Sequence, residues 1–300
     1  MCCKKWILWI EKGERRVKII LKQFGKVICY LLLFLGMQFL VNFVFQFGYG
    51  MKLGMELAVS GEAINEQMLA ERLTEFLMDN ANWITLLSGI LTLFILWLFF
   101  KIRKKKLYQE AGICRFDKKM ILPLIVCGVA LSFFTSFVLS VLPIPESVLE
   151  SYVEKSSLVG GGALWLRILS IVVVAPLAEE VIFRGLVLSR LKCVMPRGLA
   201  VVITGLIFGI MHGQIVWMAY AFVSGVIFAV VAEKTRSVGC AIVLHMAFNL
   251  VGIFGENLDF SMVQTIIIGI VSLLLIIGFG YYIFILDKKE NVIPECEETV

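Results

Sequence analysis

Polar groups able to do chemistry are rare inside the apolar runs of this 300-residue chain, and three short motifs gather them. The first reads Ala178-Glu179-Glu180-Val181-Ile182-Phe183-Arg184, two adjacent carboxylates followed by an arginine one helical turn on. The second is Phe208-Gly209-Ile210-Met211-His212, and the third is His245-Met246-Ala247-Phe248-Asn249. His212 and His245 are the only histidines in the chain. Residues four apart share one face of a helix, so His245 is set beside Asn249 and Glu180 beside Arg184. A carboxylate, two imidazoles and a carboxamide in one buried pocket are the parts that activate a water and stabilise an oxyanion.

Each residue also has a plainer reading. Glu180 and Arg184 read as a buried ion pair that locks their helix. That leaves Glu179, turned about 100° around the helix, in need of another partner. His212 could serve as a hinge residue bonding loose backbone near Gly213, and His245 with Asn249 could be glue between helices. Ionisable groups cost several kcal/mol inside a bilayer and mark function there, so their joint occurrence points to a site. Arg167, near the outer end of its span, is expected to reach the headgroups. Gly205, Gly209 and Gly225 read as points of close helix packing.

The elements that must position these residues are membrane helices. The chain is 60% hydrophobic and 17% charged, too little charge to cover a soluble fold of this size. Apolar runs of about 20 residues fit helices, whereas barrel strands alternate over about 10. The expected fold is an all-α polytopic bundle of about eight spans. They fall at 27–51, 81–100, 120–145, 163–190, two within 198–232, 237–255 and 260–286. The run 198–232 would be about 52 Å as one helix, against a core of about 30 Å, so it must break at Met211-His212-Gly213-Gln214. Pro143 and Pro145 end the third span.

Charge sets the orientation. Segments 1–26 and 101–119 are rich in Lys and Arg and belong in the cytoplasm, which gives an N-in, C-in topology. The stretch 52–79, with Glu56, Glu62, Glu66, Glu71, Glu75 and Asp79, becomes an outer acidic loop, and 101–119 an inner basic one. Four regions follow: a basic amphipathic segment 1–26, an N-terminal transmembrane region 27–162, a catalytic core 163–255, and the last span with its tail at 256–300. The 1–26 segment is suited to an anionic lipid surface. The net charge of +5 sits in short flanking loops, which excludes nucleic-acid binding as the main role. The eight cysteines are scattered without metal-type spacing and read as buried hydrophobes and free thiols.

Depth allows the site to assemble. At helical rise Glu179 lies about 16 Å from the basic end at Arg190, His245 about 13 Å from Arg236, and His212 about 22 Å from Arg197. All three fall inside a core of about 30 Å.

In this order and spacing the motifs resemble those of the CAAX prenyl endopeptidase and bacteriocin-processing (CPBP, or Abi) family of intramembrane proteases. The pattern E-E-x-x-x-R matches Glu179, Glu180 and Arg184, F-x-x-x-H matches Phe208 and His212, and H-x-x-x-N matches His245 and Asn249. The resemblance covers about 163–255. It implies a helical membrane endopeptidase in which Glu179 and His212 activate the attacking water. His245 and Asn249 then polarise the scissile carbonyl or hold the oxyanion, with Glu180, Arg184 and Phe208 in support. Members are called metalloproteases, and a metal-free glutamate mechanism has also been argued for them. Glu179, His212 and His245 are the candidate ligands for a divalent ion such as zinc, although the H-E-x-x-H helix of soluble zinc proteases is absent.

The resemblance implies a membrane-associated peptide or protein substrate and leaves its identity open. The compact loops favour a multi-pass protein of a bacterial plasma membrane. The rival class is a non-proteolytic immunity or scaffolding protein, as in bacteriocin self-immunity, using the same pocket for binding. A transporter fits less well, since its halves should repeat and residues 1–150 and 151–300 do not.

Overall fold

A computed structural model describes residues 2–60, 65–255 and 258–289. Every regular element among the described residues is helical. Two long helices open the chain, α1 (Cys2–Ser60) and α2 (Glu66–Ile102). The basic stretch 101–119 holds one helical turn, α3 (Leu107–Glu110), before α4 (Ile121–Val141). Helix α5 (Glu146–Gly160) follows the Pro143/Pro145 break. A broken helix then runs over 164–191 as α6 (Leu164–Arg167), a π-helical segment Ile168–Val174, α7 (Ala175–Glu180), a second π-helical segment Val181–Val187, and α8 (Leu188–Leu191). Helices α9 (Arg197–Ile210), α10 (Ile215–Thr235), α11 (Val238–Gly255) and α12 (Met262–Lys289) complete the bundle.

Six of these helices are long and apolar enough to cross a membrane, and α9 is a shorter apolar helix. The protein is a multi-pass membrane protein. The break at 211–214 falls where the length of the apolar run demands it, between α9 and α10. Gly213 takes φ +71°, a left-handed turn that favours glycine. Gln214 then caps α10 by accepting from the Val216 and Trp217 amides at 2.7 and 2.9 Å.

Two expectations are corrected. The stretch 52–79 is no outer loop: α1 continues to Ser60 and α2 starts at Glu66, with residues 61–64 outside the described ones. No proline or turn signal stops α1 at residue 52, and the Asn65 side chain starts α2 by accepting from Gln67 N at 2.9 Å. Helix α5 occupies the stretch left without an element between the third and fourth expected spans, because it is too short and polar to stand out by hydropathy. Residues 2–26 of the basic segment form the start of α1, but the side chains up to residue 15 lie outside the described residues, as does the tail 290–300.

Helix α4 packs on α11 and α12, α9 on α10, and α1 on α2. The close α9–α10 pairing depends on glycine. A Cβ at Gly209 would sit 2.7 Å from the Met218 carbonyl oxygen. The broken helix runs through the middle, and its lower half, from Val181 to Leu188, is buried at every position. Phe34, Leu96 and Phe100 of α1 and α2 join Phe183, Leu186 and Phe208 in that core.

Candidate functional site

Glu179 and Glu180 end α7, immediately before the second π segment. Adjacent in sequence, they face different surroundings. The Glu180 side chain is 0% exposed and the Glu179 side chain is 19% exposed. Burying a carboxylate fully requires partners, and Glu180 has two. Arg184 donates to its Oε1 at 2.8 Å, and the His245 Nδ1 lies 2.8 Å from the same oxygen. Arg184 also donates to the Gly225 carbonyl at 2.9 Å, and its guanidinium stacks 4.3 Å from the Phe208 ring centroid. A Cβ at Gly225 would lie 2.9 Å from the Phe208 ring, so glycine makes room for this stack.

The sequence pairs Glu180 with Arg184 and leaves His245 to Asn249. It misses that His245 is held by Glu180 across the bundle, 65 positions away. An ionised carboxylate only accepts, so the His245 Nδ1 carries the proton in that bond. Its Nε2 then points to the other carboxylate, 3.8 Å from Glu179 Oε2. The ring also packs on Phe228 at 4.6 Å, fixing its plane.

His212 sits in the turn after α9 rather than inside a helix. Its Nδ1 lies 2.8 Å from the Phe208 carbonyl, an acceptor, so this nitrogen also holds a proton, which in the neutral ring leaves the lone pair on Nε2. The ring stands edge-on to Phe208 at 4.7 Å.

Asn249 is placed by a defect in the neighbouring helix. The Ala175 amide bonds back five residues to the Ser170 carbonyl, as a π segment does. The Ile171 carbonyl therefore loses its α partner, and its π partner would be residue 176, a proline with no N–H. Asn249 Nδ2 fills the vacancy, donating to Ile171 O at 2.9 Å. One amide hydrogen anchors the side chain, and a second remains for other work.

Glu179, His212, His245 and Asn249 all line one cavity of about 420 Å³. Glu180 and Arg184 lie behind its wall. Phe34 and Gln38 of α1 and Thr85 of α2 also line it, although the sequence confines the site to 163–255. The only advance signal is the polar Gln38, Asn42 and Gln46 at helical spacing inside the first span. Arg167 also faces this cavity instead of extending only to the headgroups. A second cavity of about 240 Å³ between α1, α2 and α7 shares the Glu179 wall.

A zinc site needs three or four converging donors. Among the described residues no three His, Cys, Asp or Glu side chains come together in that way. His212 and His245 each hold Nδ1–H on an oxygen, the Phe208 carbonyl and Glu180, an arrangement that leaves Nε2 facing outward, and Glu180 itself is taken by Arg184 and His245. The donor set proposed from sequence, Glu179, His212 and His245, lines one cavity but is not drawn together as three converging donors.

Residues 161–251 match the family model described as Rce1-like, type II CAAX prenyl endopeptidase. The matched stretch is the one that carries all three motifs. No curated protein and no solved structure matches the chain.

Proposed function

We propose that the chain, which over 161–251 is similar to type II CAAX prenyl endopeptidases, is an intramembrane endopeptidase that hydrolyses a peptide bond with a glutamate-activated water. The observation that carries this reading is the convergence of Glu179, His212, His245 and Asn249 on one cavity wall, with Glu180 and Arg184 excluded from it. The substrate is a membrane-associated peptide or protein segment, as the family match implies. Nothing in the arrangement favours the scaffold reading over this one.

The chemistry needs no group beyond the chain and water. Glu179 takes a proton from a water while the water oxygen bonds to the scissile carbonyl carbon. The His212 Nε2 lone pair orients the same water. The carbonyl oxygen becomes an oxyanion, to which the second Asn249 amide hydrogen donates, joined by His245 Nε2 when both ring nitrogens are protonated. Collapse breaks the C–N bond, and Glu179 returns its proton to the leaving nitrogen. Glu180 acts one step back: it holds the His245 ring while Arg184 balances its charge. With both glutamates ionised, Glu179, Glu180 and Arg184 together carry one net negative charge, and the proton taken from water moves that charge from Glu179 to the oxyanion.

In the membrane we assign eight crossings, the six long helices, the broken helix 164–191 and the shorter α9, with both termini in the cytoplasm. Incubation of purified protein with quenched peptides tests the activity. Cleavage by the parent and its loss in Glu179→Gln at unchanged thermal stability is the expected result. Equal cleavage by both would end the proposal.

A further inference from the structure

Glu179 stands between two cavities of unlike lining. The large one, of about 420 Å³, has Phe183, Phe208, Trp217, Tyr220 and Phe248 in its walls. The small one, of about 240 Å³, draws half of its lining from polar side chains: Gln38, Asn42, Thr85, Ser88 and Glu179. Phe34, Gln38, Thr85, Ala175 and Glu179 border both, so the two spaces meet at the carboxylate. Asn42, Ile84 and Ser88 border the small one and not the large one.

Polar side chains inside a membrane span face the bundle interior or a water-filled space. Helix α1 carries Gln38, Asn42 and Gln46 on one face. Gln46 donates to the Asn42 Oδ1, which leaves the Asn42 amide hydrogens for the cavity. The Gln38 carboxamide has no hydrogen bond to another described residue. On α2, Thr85 Oγ1 donates to Ala81 O at 2.9 Å and Ser88 Oγ to Thr85 O at 3.1 Å. Both hydroxyls place their one proton on the backbone and keep lone pairs that accept. Gly89 sets that wall close to the broken helix, since a Cβ there would sit 2.7 Å from Val174 Cγ1. Amide donors from α1 therefore face hydroxyl acceptors from α2 across one small space. An apolar cavity of this size stays dry, whereas a polar one holds waters of about 30 Å³ each. Glu179 also lacks a hydrogen-bond donor among the described residues, because His245 Nε2 stops 3.8 Å short of it.

We propose that the small cavity is a water chamber, from which each hydrolysis draws its water past Gln38 and Thr85 to Glu179. The inference rests on the protease reading for the use of the water, and on the polar lining for its presence. A peptide seated in the large cavity covers Glu179 on that side and excludes bulk solvent. Each cleavage consumes one water, whose oxygen ends in the new carboxyl group, so the position must be refilled before the next. Helices α1 and α2, which carry none of the three motifs, thereby supply the second substrate.

Hydroxyl-radical footprinting of the purified protein in detergent, read residue by residue by mass spectrometry, tests for the water. The radicals form from water in place, so side chains beside bound water oxidise and those facing detergent tails do not. Phe34, at 6% exposure, should oxidise ahead of Phe39 at 72%, and Ile84 ahead of the exposed Ile90. The reverse order, or parity, means a dry chamber and overturns the proposal. The paired substitution Asn42→Leu with Ser88→Ala tests the supply, because it removes polar groups without narrowing the chamber and touches no wall of the large cavity. With a quenched peptide, kcat should fall about tenfold, close to the loss of one hydrogen bond, while KM stays unchanged. A parental kcat overturns the proposal, and so does a raised KM at parental kcat, which makes the chamber part of the peptide site. If the paired variant does not fold, the footprint of the parent decides alone. The expected footprint in a protein whose Glu179→Gln variant still cleaves upholds the chamber and ends the protease reading. A dry footprint with cleavage dependent on Glu179 does the opposite.

Discussion

The two π-helical segments of the broken helix share a backbone irregularity and differ in everything around it. In the first one, Ile168–Val174, exposed or partly exposed positions interleave with buried ones, and the freed Ile171 carbonyl holds Asn249 at a cavity wall. The second one, Val181–Val187, is buried throughout and carries Arg184, whose work is to neutralise Glu180. A wider helical turn serves placement in the first and charge burial in the second. Glu179 and Glu180 stand at the boundary, one given to each side.

That division can be broken from its buried side first. Arg184→Ala leaves the Glu180 carboxylate uncompensated, at an expected cost of about 3–5 kcal/mol. The yield and thermal stability of folded protein in detergent should fall together. A variant of parental stability that no longer cleaves would move Arg184 into the chemistry. On the cavity side, Glu179→Gln keeps volume and hydrogen bonding but removes the base. Its stability should match the parent while cleavage drops about 10²-fold, or about 2.7 kcal/mol in barrier. Asn249→Ala should lose a similar factor, about 10²-fold or more, if its second amide hydrogen meets the oxyanion.

The remaining effects are smaller. Gly225→Ala pushes a methyl to 2.9 Å from the Phe208 ring and 3.3 Å from Arg184, an overpacking of about 1–3 kcal/mol. Thermal melts should show it, with the rate of the surviving folded protein little changed. On the proposed glutamate mechanism a strong chelator is expected to change nothing. Inactivation by the chelator with recovery on zinc alone would restore the metal reading.

Much of this was legible in the sequence. Ionisable groups are conspicuous in an apolar helix because they cost so much there, so Glu179, His212, His245 and Asn249 stand out unaided. The break at Gly213 follows from length alone. What stayed hidden depends on the third dimension. Hydropathy is blind to whether a backbone bonds four residues back or five, so neither π segment could be read. The bond from His245 to Glu180 spans helices whose neighbours the motifs do not name. Phe34, Gln38 and Thr85 join the cavity from the other half of the chain, where polar residues among apolar ones read as packing.

The size of the cavity carries a consequence for selection. At about 420 Å³ it is on the scale of a small-ligand site, far below any folded domain. On the proposed reading only a stretch of chain already free of its own structure can be threaded to Glu179. Discrimination then begins with the disorder of the substrate and not with its side chains. A stable fold close to the membrane would be a form of resistance, and local unfolding would set the pace of cutting.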